Sequence, residues 1–252
     1  MTERLGQLTA EHTSGGRLTP AQIEEIWQFL SRFVTRSRPA FEAALPSVQD
    51  IVLFRDAAGT LQGFVGNKLL EVVWQGRSHF IFFTAWTWMD PAYRGQNLLQ
   101  GLGLKRFLRQ WVRHPLARFY WMIFSSTYKS YLLLPRTFVE FWPRRGAEWP
   151  ERERELVRLV MERDGDPDWD PQAGVVRRRG ASRYREGVVA DEPGALQDPD
   201  IRFYAERNPG QDQGDTLIAL CPLSLRNLWS LVSKVSGLRR RRGRPAVSPR
   251  PA

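Results

Sequence analysis

The sequence has one cysteine and three histidines in 252 residues, so it is poor in the side chains that form disulfides and bind transition metals. With Cys221 alone, neither an intrachain disulfide nor a cysteine-cluster metal site can form. With only His12, His79 and His114, we expect no histidine-based metal site either. A protein without disulfides fits a reducing compartment, which favours the cytoplasm.

Long apolar segments are also missing. No apolar run reaches the roughly 18 residues of a membrane-spanning helix. The first 16 residues lack the basic start, apolar middle and small-residue cleavage site of a signal peptide. We therefore predict a cytoplasmic protein, and peripheral association with the inner membrane surface stays open.

Positive charge is concentrated at the C-terminal end of the sequence. The net charge is +10, and six arginines follow Leu238 with no acid among them: Arg239–Arg242, Arg244 and Arg250. Because such a segment cannot build a core, we predict a basic, disordered tail over 238–252. The tail could instead meet anionic lipid or an acidic protein. Nucleic acid is the weaker alternative, since arginines without a reading element would bind it only nonspecifically.

The rest of the chain is predicted to form one domain. Residues 1–18 are predicted to be a flexible N-terminal tail, and 19–237 a single domain with a loop-rich insertion at about 164–199. Apolar periodicity and turn residues predict strands at 51–55, 61–74, 78–89, 118–124, 174–178 and 214–221. They predict helices at 20–33, 39–45, 95–112, 126–134, 150–163, 199–207 and 222–237. The predicted fold class is α/β (α+β): a mixed, mostly antiparallel central sheet flanked by helices, with a C-terminal helical extension.

The middle of the chain combines a meander with a crossover. Three successive strands with short turns predict an antiparallel meander over 51–89. A helix then leads to the strand at 118–124, which makes the two flanking strands parallel neighbours. Such a crossover leaves a helix N-terminus at the edge or switch point of the sheet, where ligands tend to bind. Unpaired N–H groups and the helix dipole favour an anion there.

The connecting segment, WMDPAYRGQNLLQGLGLKR at Trp88–Arg106, resembles the GNAT (GCN5-related N-acetyltransferase) superfamily. The family's signature is Arg or Gln, two residues, Gly, one residue, then Gly or Ala. It maps here onto Arg94, Gly95, Gln96, Asn97, Leu98 and Leu99. The upstream helices, the meander and the later FYWMIFSSTYKSYL also fall in the family's order, so the resemblance covers about 20–144.

The resemblance implies an acyl-CoA-binding fold in which an amine attacks a thioester carbonyl. Backbone amides of 94–99 would hold the pyrophosphate, and the pantetheine would pair with the strand end at Thr87, Trp88 and Met89. Two residues depart from the family pattern. Asn97 replaces a glycine, but asparagine tolerates a left-handed backbone and can keep the turn's shape. Leu99 replaces a small residue and would crowd the pyrophosphate in the family geometry.

Two donors are therefore open: acyl-CoA, and an acyl-phosphopantetheine thioester on an acyl carrier protein, which lacks the adenosine half. Arg94, Lys105, Arg106 and Arg109 near the turn would suit an acidic carrier protein. The same four residues also fit an ordinary solvated helix face. The implied acceptor is a small-molecule or peptide amine.

In many family members a tyrosine on the helix after the fifth strand serves as general acid. Tyr128 and Tyr131 lie three residues apart on the predicted helix, and Tyr131 is our first choice. A packing role is the alternative for either tyrosine. For the general base, Glu71 is the acid that the meander offers between Asp56 and Asp90. A substrate amine can also lose its proton through ordered water.

Two apolar patterns leave their roles open. Alternation along 78–89 places Phe80, Phe82, Trp86 and Trp88 on one strand face, either as core or as an apolar acyl or acceptor pocket. Near the C-terminus, an apolar stripe is formed by Leu225, Leu228, Trp229, Val232 and Val235. This stripe could dock on the domain's own core, or 223–244 could lie on an anionic membrane.

Three functions follow from these patterns. The leading prediction is a GNAT-like acyltransferase that moves an acyl group from an acyl-CoA or carrier-protein thioester to an amine. The alternative is a catalytically silent GNAT-fold binding or scaffold protein, associated with a partner or a membrane. A third reading keeps the fold but changes the chemistry, for instance to thioester hydrolysis or decarboxylation.

Overall fold

The computed structural model of the protein describes residues 2–93, 98–188 and 192–235, apart from the side chains of residues 85, 98–100 and 235. The strands are β1 (Thr2–Leu5), β2 (Leu8–Thr13), β3 (Val34–Arg36), β4 (Asp50–Arg55), β5 (Leu61–Trp74), β6 (Arg77–Met89), β7 (Arg118–Ser125), β8 (Trp169–Asp170), β9 (Val175–Val176), β10 (Ser182–Tyr184) and β11 (Thr216–Pro222). The helices are α1 (Pro20–Ser31), α2 (Arg38–Ala44), α3 (Leu98–Arg113), α4 (Tyr128–Tyr131), α5 (Leu133–Thr137), α6 (Glu151–Asp164), α7 (Pro199–Arg207) and α8 (Leu225–Val235).

Nine of the described strands form one sheet, in the order β1-β2-β4-β5-β6-β7-β11-β9-β8. Neighbouring strands are antiparallel except β6 and β7, which are parallel and are joined in the chain through α3. The strands β3 and β10 pair separately and form what we call the β3–β10 ribbon. The predicted fold class, a mixed and mostly antiparallel sheet flanked by helices, is confirmed.

Local chemistry explains the best-defined element ends. At the start of α1, the Thr19 hydroxyl accepts from the Gln22 amide at 3.2 Å, and the Gln22 side chain accepts from the Thr19 amide at 3.0 Å. This reciprocal cap satisfies two N–H groups that a helix start otherwise leaves unpaired. The β5–β6 hairpin turns at Gln75 and Gly76, whose φ angles of 49° and 70° match the right-handed twist of the flanking strands.

The prediction of a flexible tail over 1–18 is wrong. Strands β1 and β2 form a hairpin, and β2 pairs with β4 from Thr9 opposite Arg55 to Thr13 opposite Ile51. Leu8 of β2 is fully buried, so the hairpin belongs to the core. The segment is short and polar, so its sequence carries no clear strand pattern. Its strands are stabilised by pairing with the edge of β4. The predicted basic tail over 238–252 lies outside the described residues.

Two further elements differ from their predictions. The helix predicted to end before Pro135 continues as α5 to Thr137. Proline is tolerated here because Pro135 lies in the first turn of α5, where the helix does not use its missing N–H. The segment 164–199, predicted to hold one short strand, contains β8, β9 and β10, of which β9 is at the predicted position.

The helices cover the two faces of the sheet. On the first face, called the α1 face, α1 packs on Phe64 of β5 and α6 packs on Val72 of the same strand. Phe64 and Val72 lie on the same face because an even number of residues separates them along the strand. On the other, called the α3 face, Leu102 packs on Val65 and Phe107 packs on Phe119. The helices α4, α5 and α7 also cover the α3 face, over β7 and β11.

Candidate active site

The two parallel strands separate near their C-terminal ends. β6 and β7 pair from His79 opposite Arg118 to Thr84 opposite Ile123. Beyond this point β6 continues to Met89 against β5, and β7 continues to Ser125 against β11. In the described part of the chain no strand pairs with residues 86–88 of β6 on the side of β7. We call this opening in the sheet the β6–β7 split.

A β-bulge accompanies the split and corrects the predicted aromatic face. Gly66 of β5 pairs with Trp86 and the next residue pairs with Thr84, so residue 85 has no partner in the ladder. The extra residue moves Trp86 and Trp88 to the opposite face from Phe80 and Phe82. Phe80 and Phe82 pack on the α3 face, whereas both tryptophans pack on the α1 face. Strict alternation along 78–89 is therefore wrong.

A cavity of about 460 Å³ crosses the sheet at the split. On the α3 face its wall includes Leu102 and Phe107 of α3, and on the α1 face it includes Leu30 of α1 and Trp86. The volume lies within the range of roughly 300–1,000 Å³ that small-molecule sites occupy. Because both faces contribute to the wall, two reactants could enter from opposite sides and meet at the split.

The predicted donor-binding residues lie partly at this cavity. Thr87 and Trp88 are in its wall, whereas Met89 is buried against a cluster that includes Val65 and Leu102. The helix α3 begins at Leu98, and its second turn, at Leu102 and Gly103, borders the cavity. Arg94, Gly95, Gln96 and Asn97 lie outside the described residues, as do the side chains of Leu98 and Leu99. Their role in holding a pyrophosphate stays a prediction.

The predicted catalytic residues are not brought to the cavity wall. The Tyr131 hydroxyl is buried and donates to the Pro143 carbonyl at 3.0 Å, and burial raises the pKa of Tyr131. Tyr128 is also buried, and its hydroxyl has no hydrogen-bond partner among the described residues. Glu71 is exposed on β5 and accepts from the Ser78 hydroxyl at 2.7 Å. Glu71 lies five residues from the bulge partner Gly66, or about 17 Å along the strand.

A different tyrosine lies at the split. Tyr184 of the β3–β10 ribbon packs on Trp88 of β6 with ring centroids 5.4 Å apart. Its hydroxyl shares a hydrogen bond of 3.0 Å with the Ser126 hydroxyl, directly after β7. Tyr184 therefore spans the two separated strands, and both Tyr184 and Ser126 are in the cavity wall. Sequence analysis missed this pair because no local pattern links residues 58 positions apart.

The cavity wall is cationic. It contains Arg36, Lys68, Arg106, Arg178 and Arg183, and none of the residues that the structure places in it is Asp or Glu. Most of these cations have partners behind the wall. Lys68 pairs with Asp164 at 2.6 Å, Arg178 pairs with Asp166 at 2.8 Å, and Arg106 pairs with Asp50. The aspartate-rich segment at 164–170 thus neutralises the charges of Lys68 and Arg178. No group of three or more acidic, histidine or cysteine side chains in the described ranges could hold a metal.

The helix α8 is attached through the buried polar side chain of Asn227 as well as through the apolar side chains of Leu228 and Leu231. Asn227 is fully buried; its carbonyl oxygen accepts from the amides of Val139 and Glu140, and its amide donates to the Glu140 and Pro222 carbonyls. Leu228 and Leu231 face the cavity, whereas Leu225 and Trp229 are 82% and 70% exposed. The apolar stripe predicted on this helix is therefore divided between the cavity wall and the surface.

Comparison with protein-family models finds no match, and comparison with curated proteins finds none either. Among solved structures, a GNAT-family N-acetyltransferase from Escherichia coli in complex with CoA is 16% identical with a TM-score of 0.34, over 50% of this chain and 67% of that chain. NAA60 from Arabidopsis thaliana with a bisubstrate analogue is 16% identical with a TM-score of 0.35, over 52% and 86% of the two chains. An aminoglycoside acetyltransferase from an uncultured soil metagenomic sample is 13% identical with a TM-score of 0.36, over 57% and 97%.

All three of these structures are acetyltransferases or, for NAA60, a protein bound to a bisubstrate analogue, and the first is named as a GNAT-family enzyme. At these identities and TM-scores, the likeness by itself assigns no reaction to the chain. A membrane-spanning helix is not found either: within the described ranges, each helix is too short or too polar to cross a bilayer.

Proposed function

We propose that the chain is a divergent GNAT-like acyltransferase, which moves an acyl group from an acyl-CoA or acyl-carrier-protein thioester to an amine. The observation that carries the proposal is the β6–β7 split, with a cavity that crosses the sheet beside α3. A thioester arm can pair with the free edge of β6 as an added strand would. An amine can then approach its carbonyl from the other face.

The donor would enter on the α3 face. Its pantetheine arm would run along Thr87, Trp88 and Met89, and residues 94–99 would hold the phosphate. The acyl chain would lie among apolar residues such as Phe107 and Leu228, which favours an acyl group longer than acetyl. Either CoA or a carrier protein can deliver such an arm, and the excess of arginine and lysine over acidic residues in the cavity wall suits both, because both are anionic.

The chemistry requires one proton on the leaving group. The amine nitrogen forms a bond to the thioester carbonyl carbon, the carbon–sulfur bond breaks, and the sulfur leaves as a thiolate. The Tyr184 hydroxyl, held by Ser126 at the split, would give the thiolate its proton and regain one from water. The amine would lose its own proton to ordered water. Tyr131 is less suited to this role, because its hydroxyl is bound to the Pro143 carbonyl.

The test compares Tyr184→Phe with Tyr131→Phe, using octanoyl-CoA as donor and a panel of amines, and measures released thiol and acylated product. A general acid contributes about 10²-fold or more, so Tyr184→Phe should lower kcat by that factor and leave the affinity for octanoyl-CoA nearly unchanged. Tyr131→Phe should keep kcat within about twofold of wild type, because its hydroxyl lies away from the split.

Two outcomes would contradict the proposal. No thiol release from octanoyl-CoA or octanoyl carrier protein with any amine would favour a catalytically silent binding protein. Thiol release without an acylated amine would favour thioester hydrolysis. If Tyr131→Phe rather than Tyr184→Phe abolished turnover, the acyltransferase function would be supported, but the assignment of Tyr184 as the general acid would be wrong.

We also propose that 223–244 contacts an anionic membrane surface. The exposed side chains of Leu225 and Trp229 form an apolar face on α8, with the exposed Arg226 between them in the chain. The arginines at 239–242 and 244 follow in the sequence and add positive charge. An apolar helix face with basic neighbours fits the interface of anionic lipids.

A further inference from the structure

Arg36 lies in the cavity wall at the end of β3, on the α1 face of the sheet. Its side chain is half-buried, and its guanidinium carbon lies 5.6 Å from the ring centroid of Trp86. One guanidinium nitrogen donates to the Ala40 carbonyl at 3.3 Å. The aromatic ring and the carbonyl orient the guanidinium without neutralising its charge.

The described residues offer Arg36 no carboxylate. In this it differs from Lys68 and Arg178, which pair with Asp164 and Asp166 at 2.6 and 2.8 Å. Burial, and to a smaller extent the charge of Arg178, lower the pKa of Arg36. A half-buried cation without a counter-charge is unfavourable, and a bound anion with charge-assisted hydrogen bonds would relieve it.

The β3–β10 ribbon fixes the distance between Arg36 and the split. Arg36 pairs with Ser182, and Val34 pairs with Tyr184. Two residues along a strand span about 7 Å and point to the same side. Arg36 is therefore about 7 Å along the ribbon from the level of Tyr184, whose hydroxyl is bound to Ser126 at the split. An anionic group a few bonds from an amine could bridge this interval.

The positive charge of the cavity wall also restricts which amines can serve as the acceptor. With no carboxylate among the wall residues that the structure describes, a polycationic amine would find no counter-charge there. An acceptor that carries its own negative group would be favoured instead. Because the donor is proposed to enter on the α3 face, Arg36 on the α1 face can bind the acceptor.

We propose that Arg36 binds a carboxylate or phosphate group of the acceptor, which places the acceptor's amine at the β6–β7 split. This assignment rests on the acyltransferase function proposed above. Arginine suits the role because its planar fork can give two parallel hydrogen bonds to either anion.

The test measures binding without turnover, by calorimetric titration of three ligands that share an octanoyl chain and an amide. N-octanoylglycine carries a carboxylate, N-octanoylphosphoethanolamine carries a phosphate, and N-octanoylglycinamide is neutral. Wild-type protein should bind at least one anionic ligand about tenfold or more tightly than the neutral one, since hydrogen bonds to charged groups have roughly that worth. Whichever anion binds more tightly identifies the acceptor's group.

Arg36→Gln should remove the preference for the anion, and Arg36→Lys should keep only part of it, because lysine retains the charge without the fork. The matched control is Arg38→Gln, two residues away, where an exposed arginine already pairs with Glu24 and Glu42 at 2.7 Å. This control should keep the full preference. Melting curves of all variants would show whether each is folded.

Equal affinity of wild-type protein for the three ligands, no saturable binding of any, or a preference that persists in Arg36→Gln would each overturn the proposal. The outcome is independent of catalysis. A chain that binds the anionic ligand through Arg36 but consumes no octanoyl-CoA with any amine would keep the anion site and lose the acyltransferase.

Discussion

Replacing His79 with phenylalanine should make the protein lose less stability than wild type when the pH falls from 7.5 to 5. His79 is 1% exposed, and both of its ring nitrogens lack hydrogen-bond partners among the described residues. Its ring packs on Trp74 and Tyr120, with centroids 6.1 and 5.8 Å away. Burial, and then the charges of Arg118, Arg152 and Arg77, lower the pKa of His79 from 6.5 to about 4.

The size and sign of the effect follow from that pKa. Above pH 6.5 the imidazole is neutral in both the folded and the unfolded chain, so the full stability is present. As the pH falls from 6.5 towards 4, His79 becomes protonated in the unfolded chain but stays neutral in the folded chain. The free energy of unfolding therefore decreases. The slope is about 1.4 kcal/mol per pH unit, which gives a loss of about 2 kcal/mol at pH 5.

Urea unfolding followed by tryptophan fluorescence at pH 7.5 and pH 5.0 measures this loss. The free energy of unfolding should fall by about 2 kcal/mol more in wild type than in His79→Phe. Equal pH dependence in wild type and His79→Phe, or a titration of His79 near pH 6.5 by NMR, would refute the reasoning.

Three other variants have expected outcomes. Asn227→Ala should lower the free energy of unfolding in urea by about 2–4 kcal/mol, because it leaves buried amides and carbonyls without partners; a loss below 0.5 kcal/mol would contradict this. Tyr131→Phe should lower it by about 1 kcal/mol, the worth of one buried hydrogen bond to Pro143; no change would contradict the bond. Leu225→Ser with Trp229→Ser should weaken sedimentation with phosphatidylserine vesicles without changing the melting temperature, since both side chains are exposed; unchanged sedimentation would remove α8 from membrane contact.

The middle strands of the sheet and several helices could be predicted from the sequence because their signals are local. The strand β5 (Leu61–Trp74) and the helix α7 (Pro199–Arg207) have the predicted bounds, and the Thr19 cap marks the predicted start of α1. Alternation, helical periodicity and capping residues are properties of neighbouring residues, so they are visible before the chain folds.

The site was less predictable because it depends on distant contacts. The bulge at residue 85 places Trp86 and Trp88 on the opposite face from the predicted one. It is visible in the pairing register of β6 against β5, which the sequence of β6 alone does not give. Tyr184 reaches the split through the pairing of β10 with β3, far away in the sequence. The helix α8 buries Asn227 rather than a continuous apolar stripe, because the loop after α5 presents backbone groups that need partners.

The glycines of α3 give the most direct test of the cavity. Gly103 lies in the cavity wall and Gly101 does not, and a Cβ atom added at either position would meet nothing within 4 Å. Both residues are in the same helix, so phenylalanine at either position should affect the helix similarly. Phenylalanine at position 103, however, would extend from the wall where the acyl thioester is proposed to lie.

Calorimetric titration with octanoyl-CoA, repeated with octanoyl carrier protein, therefore tests the central claim. Wild type and Gly101→Phe should bind one donor per chain with similar affinity. Gly103→Phe should bind about tenfold or more weakly, because the added ring would compete with the thioester for the same space, and a tenfold loss corresponds to about 1.4 kcal/mol. No saturable heat with either donor in wild type, or equal weakening by the two substitutions, would contradict a thioester site in this cavity.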